Sequence, residues 1–82
     1  MSPDKLVYVA NQVATFFKSQ PGDQAAAATL NHLERYWEPR MRREFLEYLA
    51  GGGEGMSPVT RKAAEMMAAK SSDTDRMTAG GA

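Results

Sequence analysis

Arg35-Tyr36-Trp37-Glu38-Pro39-Arg40-Met41-Arg42-Arg43 is the stretch on which the fold turns. A residue before proline is pushed out of helical geometry, so Glu38-Pro39 breaks whatever helix precedes it. Proline itself suits the first helical position, where the amide hydrogen it lacks would have no partner. The stretch therefore joins two helices, one ending near Tyr36 and one running from Pro39 to about Ala50. Upstream, Asp23 is the expected N-cap of the first of these. Ala26, Leu30, Leu33 and Trp37 give it a buried face at helical spacing. The run Ala25 to Ala28 favours helix strongly and allows close approach of a neighbour while supplying little burial. Downstream, Met41, Phe45 and Leu49, flanked by Leu46 and Tyr48, stripe the second helix. Gly51-Gly52-Gly53-Glu54-Gly55 ends it and reads as a flexible loop.

The outer segments follow the same logic. Ser2-Pro3 and Ser57-Pro58 each pair an N-cap serine with a proline at the first helical position. One helix is expected from Pro3 to about Lys18, with Leu6, Val9, Val13, Phe16 and Phe17 on its apolar face and Val7 and Ala10 widening it. Another is expected from Pro58 to about Ala69, with Val59, Ala63, Met66 and Met67 facing inward. Pro21 falls in a turn between the first two helices. No stretch alternates apolar and polar residues as a strand would. The fold class is all-α: a small bundle of three to four short helices over residues 1–69. A tail over 70–82, rich in Ser, Thr, Asp, Gly and Ala, is expected to be disordered.

Composition narrows the function. The 82 residues make a single small domain, one that often depends on a partner. Ten basic residues balance ten acidic ones for a net charge of zero, which argues against bulk affinity for nucleic acid. Cysteine is absent, which excludes disulfides, thiolate metal sites, iron–sulfur ligation and a cysteine nucleophile. No apolar run approaches the roughly 20 residues that span a bilayer. The opening Met-Ser-Pro-Asp lacks the pattern of a signal peptide, so a cytoplasmic location is the expectation.

No catalytic, cofactor-binding or metal site is expected in this chain. The glycine cluster lacks the Gly-Lys-Ser/Thr ending and preceding strand of a phosphate loop, and Glu54 would repel phosphate. His32, the single histidine, has Ala28, Thr29, Arg35 and Tyr36 as helix-spaced neighbours, and these make no proton relay. Glu34–Glu38 and Glu44–Glu47 stand among arginines as solvated ion pairs do, and no Glu-x-x-His pair is present for a di-metal site. Met56, Met66 and Met67 suit either an adaptable docking face or ordinary core filling.

The helix break is the most informative site. It gathers four arginines, the only tryptophan and a tyrosine. From residue chemistry alone, three readings stay open. It is a protein-docking hot spot built from an aromatic anchor and arginine forks. Alternatively it is a structural corner with Trp37 in the core and the arginines solvated. The third reading is a helix-turn-helix DNA contact, with Arg40, Arg42 and Arg43 at the start of the recognition helix.

Three blocks resemble a known family. Residues 6–17, Leu-Val-Tyr-Val-Ala-Asn-Gln-Val-Ala-Thr-Phe-Phe, look like the opening motif of the delta subunit of NAD-dependent, molybdenum- or tungsten-containing formate dehydrogenases. Trp37-Glu38-Pro39-Arg40-Met41-Arg42 resembles that family's most specific motif. The glycines followed by Met56-Ser57-Pro58-Val59 resemble its third block, with Met56 where leucine is expected. The blocks cover about residues 4–68, and the segment past Lys70 matches nothing in the family pattern.

The resemblance implies a non-catalytic accessory subunit of a cytoplasmic complex that oxidises formate and reduces NAD. It implies docking on the catalytic alpha subunit, which it would stabilise or help assemble, with beta and gamma subunits in the same complex. The bis-pterin molybdenum or tungsten, the Fe–S clusters and FMN would all reside in those partners, none in this chain. No nucleic acid and no membrane are expected among its partners. In that role Trp37 and Met41 are the expected buried anchors, flanking Pro39, while Arg40 and Arg42 pair with partner carboxylates or carbonyls. Asn11 is expected to bond partner backbone or to cap a neighbouring helix. The motif holding the chain's own helices together is the alternative for these residues. A stand-alone regulatory or nucleic-acid-binding module is the alternative for the whole chain.

Overall fold

Proline sets the start of three of the four helices, as the sequence requires. In the computed structural model these are α1 (Pro3–Phe17), α2 (Gln24–Tyr36), α3 (Pro39–Ala50) and α4 (Pro58–Gly81). The structure describes residues 2–21 and 23–71, and follows the backbone of α4 to Gly81. There is no strand among the described residues. Helix α4 is continuous through Lys70 and Ser71, past the end expected at Ala69. The remainder of the tail expected over 70–82, from position 72, lies outside the described residues.

Helix α4 packs against all three others, and α1 packs against α2 and α3. The core they enclose holds Leu6, Val7, Leu30, Leu33, Trp37, Phe45, Met56 and Met67 among a background of buried alanines. The face predicted for α2 is the face that is buried, with Ala26, Leu30, Leu33 and Trp37 all inside. In α3 only Phe45 is fully buried, and Met41, Leu46, Tyr48 and Leu49 pack partly exposed around it. In α4 the buried positions are Thr60, Ala63, Ala64 and Met67, with Val59 and Met66 at the edge.

Helix α1 keeps its expected face at Leu6, Val7 and Ala10, with Val9 and Val13 packed beside it, and departs from it at Phe16. Leu6, Val7, Ala10 and Ala14 are buried. Phe16, expected to point inward, is 82% exposed. Small residues explain the departure. Ala10 and Ala14 on α1 and Ala25 and Ala26 on α2 are all buried, so this pair packs through short side chains. A face led by Val13, Phe16 and Phe17 would hold the two helices further apart.

The caps also divide. Ser2 and Asp23 make no side-chain cap bond. Ser57 does: its Oγ accepts the Thr60 amide at 3.2 Å and donates to Thr60 Oγ1 at 2.9 Å. The Ser57 amide, which a capping box would satisfy with a glutamate three residues on, instead donates to Asn11 Oδ1 at 3.0 Å. Asn11 Nδ2 donates in turn to the Gly55 carbonyl at 2.9 Å. Of the two roles expected for Asn11, capping a neighbouring helix is therefore the one its amide performs.

The glycine segment is not a loose linker. The Gly53 amide reaches the Tyr48 carbonyl at 3.0 Å and the Gly52 amide the Leu49 carbonyl at 2.9 Å, the paired bonds of a Schellman stop. Gly52 has φ +127° and Gly53 φ +63°, a region other residues enter only under strain. Arg61 donates to the carbonyls of Gly52 and Gly53, both at 2.9 Å, and Tyr48 Oη donates to that of Glu54 at 2.7 Å. With Asn11 on Gly55, each carbonyl from Gly52 to Gly55 is taken by a side chain from α1, α3 or α4.

Asn11→Ala removes both bonds to the segment ahead of α4. Each is worth about 0.5–1.5 kcal/mol, and alanine's better helix propensity returns roughly 0.6 kcal/mol. The expected net loss is about 1 kcal/mol. In a domain of this size that lowers Tm by roughly 4–8 °C in a circular-dichroism melt. An unchanged Tm would show that the clamp contributes nothing.

Candidate partner-binding surfaces

At the α2–α3 corner the chain leaves helical geometry for two residues. Trp37 and Glu38 are extended, with ψ 138° and 157°, and Pro39 then opens α3. This turn swings the indole inward. Trp37 is only 7% exposed and meets Phe45 edge-on, ring centroids 5.0 Å apart at 80°. Its area is thus buried in this chain's own core, as in the structural-corner reading, and is not displayed as an anchor. Met41 lies half-buried against the same core.

Of the remaining motif residues Arg42 is half-buried and the others face solvent. Pro39 is exposed, and the side chain of Arg40 is 83% exposed, with a loose i,i+4 contact to Glu44 at 3.7 Å. Surface pairs of that kind are worth little. Arg42 and Arg43 line a groove between α3 and α4 that also takes in Leu46, Glu47 and Met67. Neither arginine has an ion pair among the described residues. The groove therefore offers guanidinium forks beside apolar side chains, chemistry that fits a partner's carboxylates. Asn11, Trp37 and Met41 brace the fold, whereas Pro39, Arg40 and Arg42 are presented on it.

A second surface was not read from the sequence. Phe16, Phe17, His32 and Tyr36 form a row across the outer side of α1 and α2. Phe16 meets Phe17 at 5.4 Å between centroids, Phe17 meets His32 at 6.4 Å, and His32 meets Tyr36 at 4.7 Å. Gln12, Val13, Phe16, Phe17 and His32 line an open, mostly apolar cleft of about 270 Å³. Arg35 and Tyr36 line the cleft beside it. The available signal was the stripe Ala28, His32, Arg35 and Tyr36, on the side of α2 away from its buried face. Met56 and Met67 are core filling, and Met66 is half-buried at the surface.

No group of three or more His, Cys, Asp or Glu among the described residues is placed to hold a metal ion. Nor is any helix among the described residues long and apolar enough to cross a membrane.

Comparison with known proteins finds one family. The family model described as NADH-dependant formate dehydrogenase delta subunit FdsD matches residues 5–64. No curated protein and no solved structure shows significant similarity to the chain.

The two halves of the corner motif differ in what they support, and stability measurements separate them. Trp37→Ala is expected to cost about 3–5 kcal/mol, a large part of the roughly 4–12 kcal/mol available to a domain of this size. Arg40→Ala is expected to stay within about 0.5 kcal/mol. Urea denaturation followed by the helical signal tests both, and equal effects would refute the division.

Proposed function

From the chain's membership of the FdsD family of NADH-dependent formate dehydrogenase delta subunits, we propose that it is a non-catalytic accessory subunit that docks on the metal-containing catalytic alpha subunit and stabilises it or helps assemble it. The observation that carries the reading is the motif of the α2–α3 corner itself. Its tryptophan is held inside while Arg40 and Arg43 are exposed and Arg42 is half-buried in the groove, and Arg42 and Arg43 lack ion pairs among the described residues. Such forks, fixed on a rigid helix, bind carboxylates with defined geometry. Helix α3 gains rigidity from Phe45 below and the Schellman stop behind.

In this reading the chain supplies no reacting group. Formate oxidation and NAD reduction belong to the cytoplasmic complex as a whole. Its alpha subunit and its beta and gamma subunits would carry the bis-pterin molybdenum or tungsten, the Fe–S clusters and FMN. The delta subunit's part is a favourable contact made only with the correctly folded partner. Binding of that kind stabilises the native partner by mass action, more so as subunit concentration rises above Kd.

The double variant Arg40→Glu with Arg42→Glu tests this assignment. Arg40 is exposed and Arg42 half-buried at the groove, neither in the core, so helical content is expected to stay as in the wild type. Association with the catalytic subunit is expected to weaken by roughly 2–4 kcal/mol if the pair includes one true hot spot. Co-purification of the variant chain at wild-type yield would overturn the docking role of these arginines.

A further inference from the structure

We propose that the aromatic row of α1 and α2 is a second docking surface, separate from the arginine groove, and that it receives an apolar side chain ringed by carboxylates on a partner subunit. The proposal rests on the subunit reading above and deepens it.

The argument begins with exposure. Phe16 is 82% and Tyr36 66% exposed, yet they do not stand singly. Ring contacts link them through Phe17 and His32 into one continuous patch. Contiguous exposed apolar surface on a small domain marks an interaction site, whereas scattered apolar residues need no explanation. The patch also has relief. Gln12, Val13, Phe16, Phe17 and His32 line the open cleft of about 270 Å³, a mostly apolar hollow for a protruding partner residue.

Charge selects the occupant. No acidic residue lines either cleft of the patch. Its rim carries Arg35, which has no ion pair among the described residues, and exposed Lys18 follows Phe17 directly. A second copy of this chain docked face to face would set these cations against one another, because a two-fold interface matches a surface with itself. A partner with an apolar knob and an acidic surround meets both features. The two surfaces share no helix: α1 and α2 build this one, α3 and α4 the groove. A partner engaging both gains from linkage, since the second contact forms at high effective concentration.

The test uses the full chain, tagged and co-expressed with the other subunits of its formate dehydrogenase, and measures both retention of those subunits and Kd. Phe16→Ser with Tyr36→Ser removes the most exposed rings and leaves the core untouched, with helicity checked by circular dichroism. Weakening of binding by about tenfold or more is expected. A second variant, Arg35→Glu, is expected to weaken binding more at low salt than at high salt. If both variants bind as the wild type does, the proposal is overturned while the subunit reading stands. If the wild-type chain retains no subunit, the subunit reading fails and this proposal with it. A dimer of the free chain that Phe16→Ser with Tyr36→Ser breaks would identify the occupant as a second copy and overturn the proposed partner. Loss of binding in the aromatic variant but not in Arg40→Glu with Arg42→Glu would support this surface and remove the arginine assignment.

Discussion

The reversal between α3 and α4 depends on backbone carbonyls that no helix can satisfy. Glycine allows the chain to turn there, with φ positive at Gly52, Gly53 and Gly55. Freedom to turn is not by itself a turn, and glycine loses more entropy on ordering than any other residue. The order comes from side chains that belong to other elements. Asn11 of α1, Tyr48 of α3 and Arg61 of α4 each donate to this segment. At Gly53, whose φ is already positive, a Cβ would also press on the Arg61 guanidinium at 3.1 Å. The loop thereby becomes a junction that locates three helices relative to one another.

That junction explains why a polar residue interrupts the apolar opening block of the sequence. Asn11 bonds residues 44 and 46 positions away in the chain, linking the start of the fold to the start of α4. Carboxamide chemistry suits the place, because a donor and an acceptor on one planar group answer a carbonyl and an amide two residues apart. Serine is too short to offer both, and a carboxylate has no donor. The same residue thus looks like an interface element in the sequence and acts as an internal brace in the structure.

What the sequence disclosed follows from how local the cause is. Proline positions, caps at Ser57 and the α2 face needed only neighbouring residues, and each appears in the structure where it was read. The α1 face appeared at Leu6, Val7 and Ala10 but not at Phe16, where the approach of α2 decides which ring turns inward. Adjacent Phe16 and Phe17 sit about 100° apart around a helix, so spacing alone permits either to be the edge of an inward face. Once the short side chains bring α1 and α2 together, Phe16 is turned to solvent. The arginines of the corner were legible as a cluster, and the split between buried Trp37 and exposed Arg40 was one of three readings, chosen among them by the extended conformation of two residues. The pinning of the glycine segment was illegible because it takes side chains from three helices, one of them, Asn11, 44 positions away.

Net neutrality conceals how the charges are arranged. Glu34 is engaged by Lys70 at 2.9 Å, and Glu44 lies near Arg40. The described ion pairs thus draw acids toward the framework, while Arg35, Arg42 and Arg43 have no such partner among the described residues. A chain of zero net charge exerts little long-range pull on a polyanion, so loose capture of nucleic acid is a poor fit to these arginines. At contact distance the balance reverses. Each guanidinium can offer its fork to a carboxylate once water is excluded, and its apolar neighbours, Leu46 and Met67 on one surface and the aromatic row on the other, favour that exclusion. Attraction that operates only in a well-fitted interface discriminates between partners through shape and pairing together.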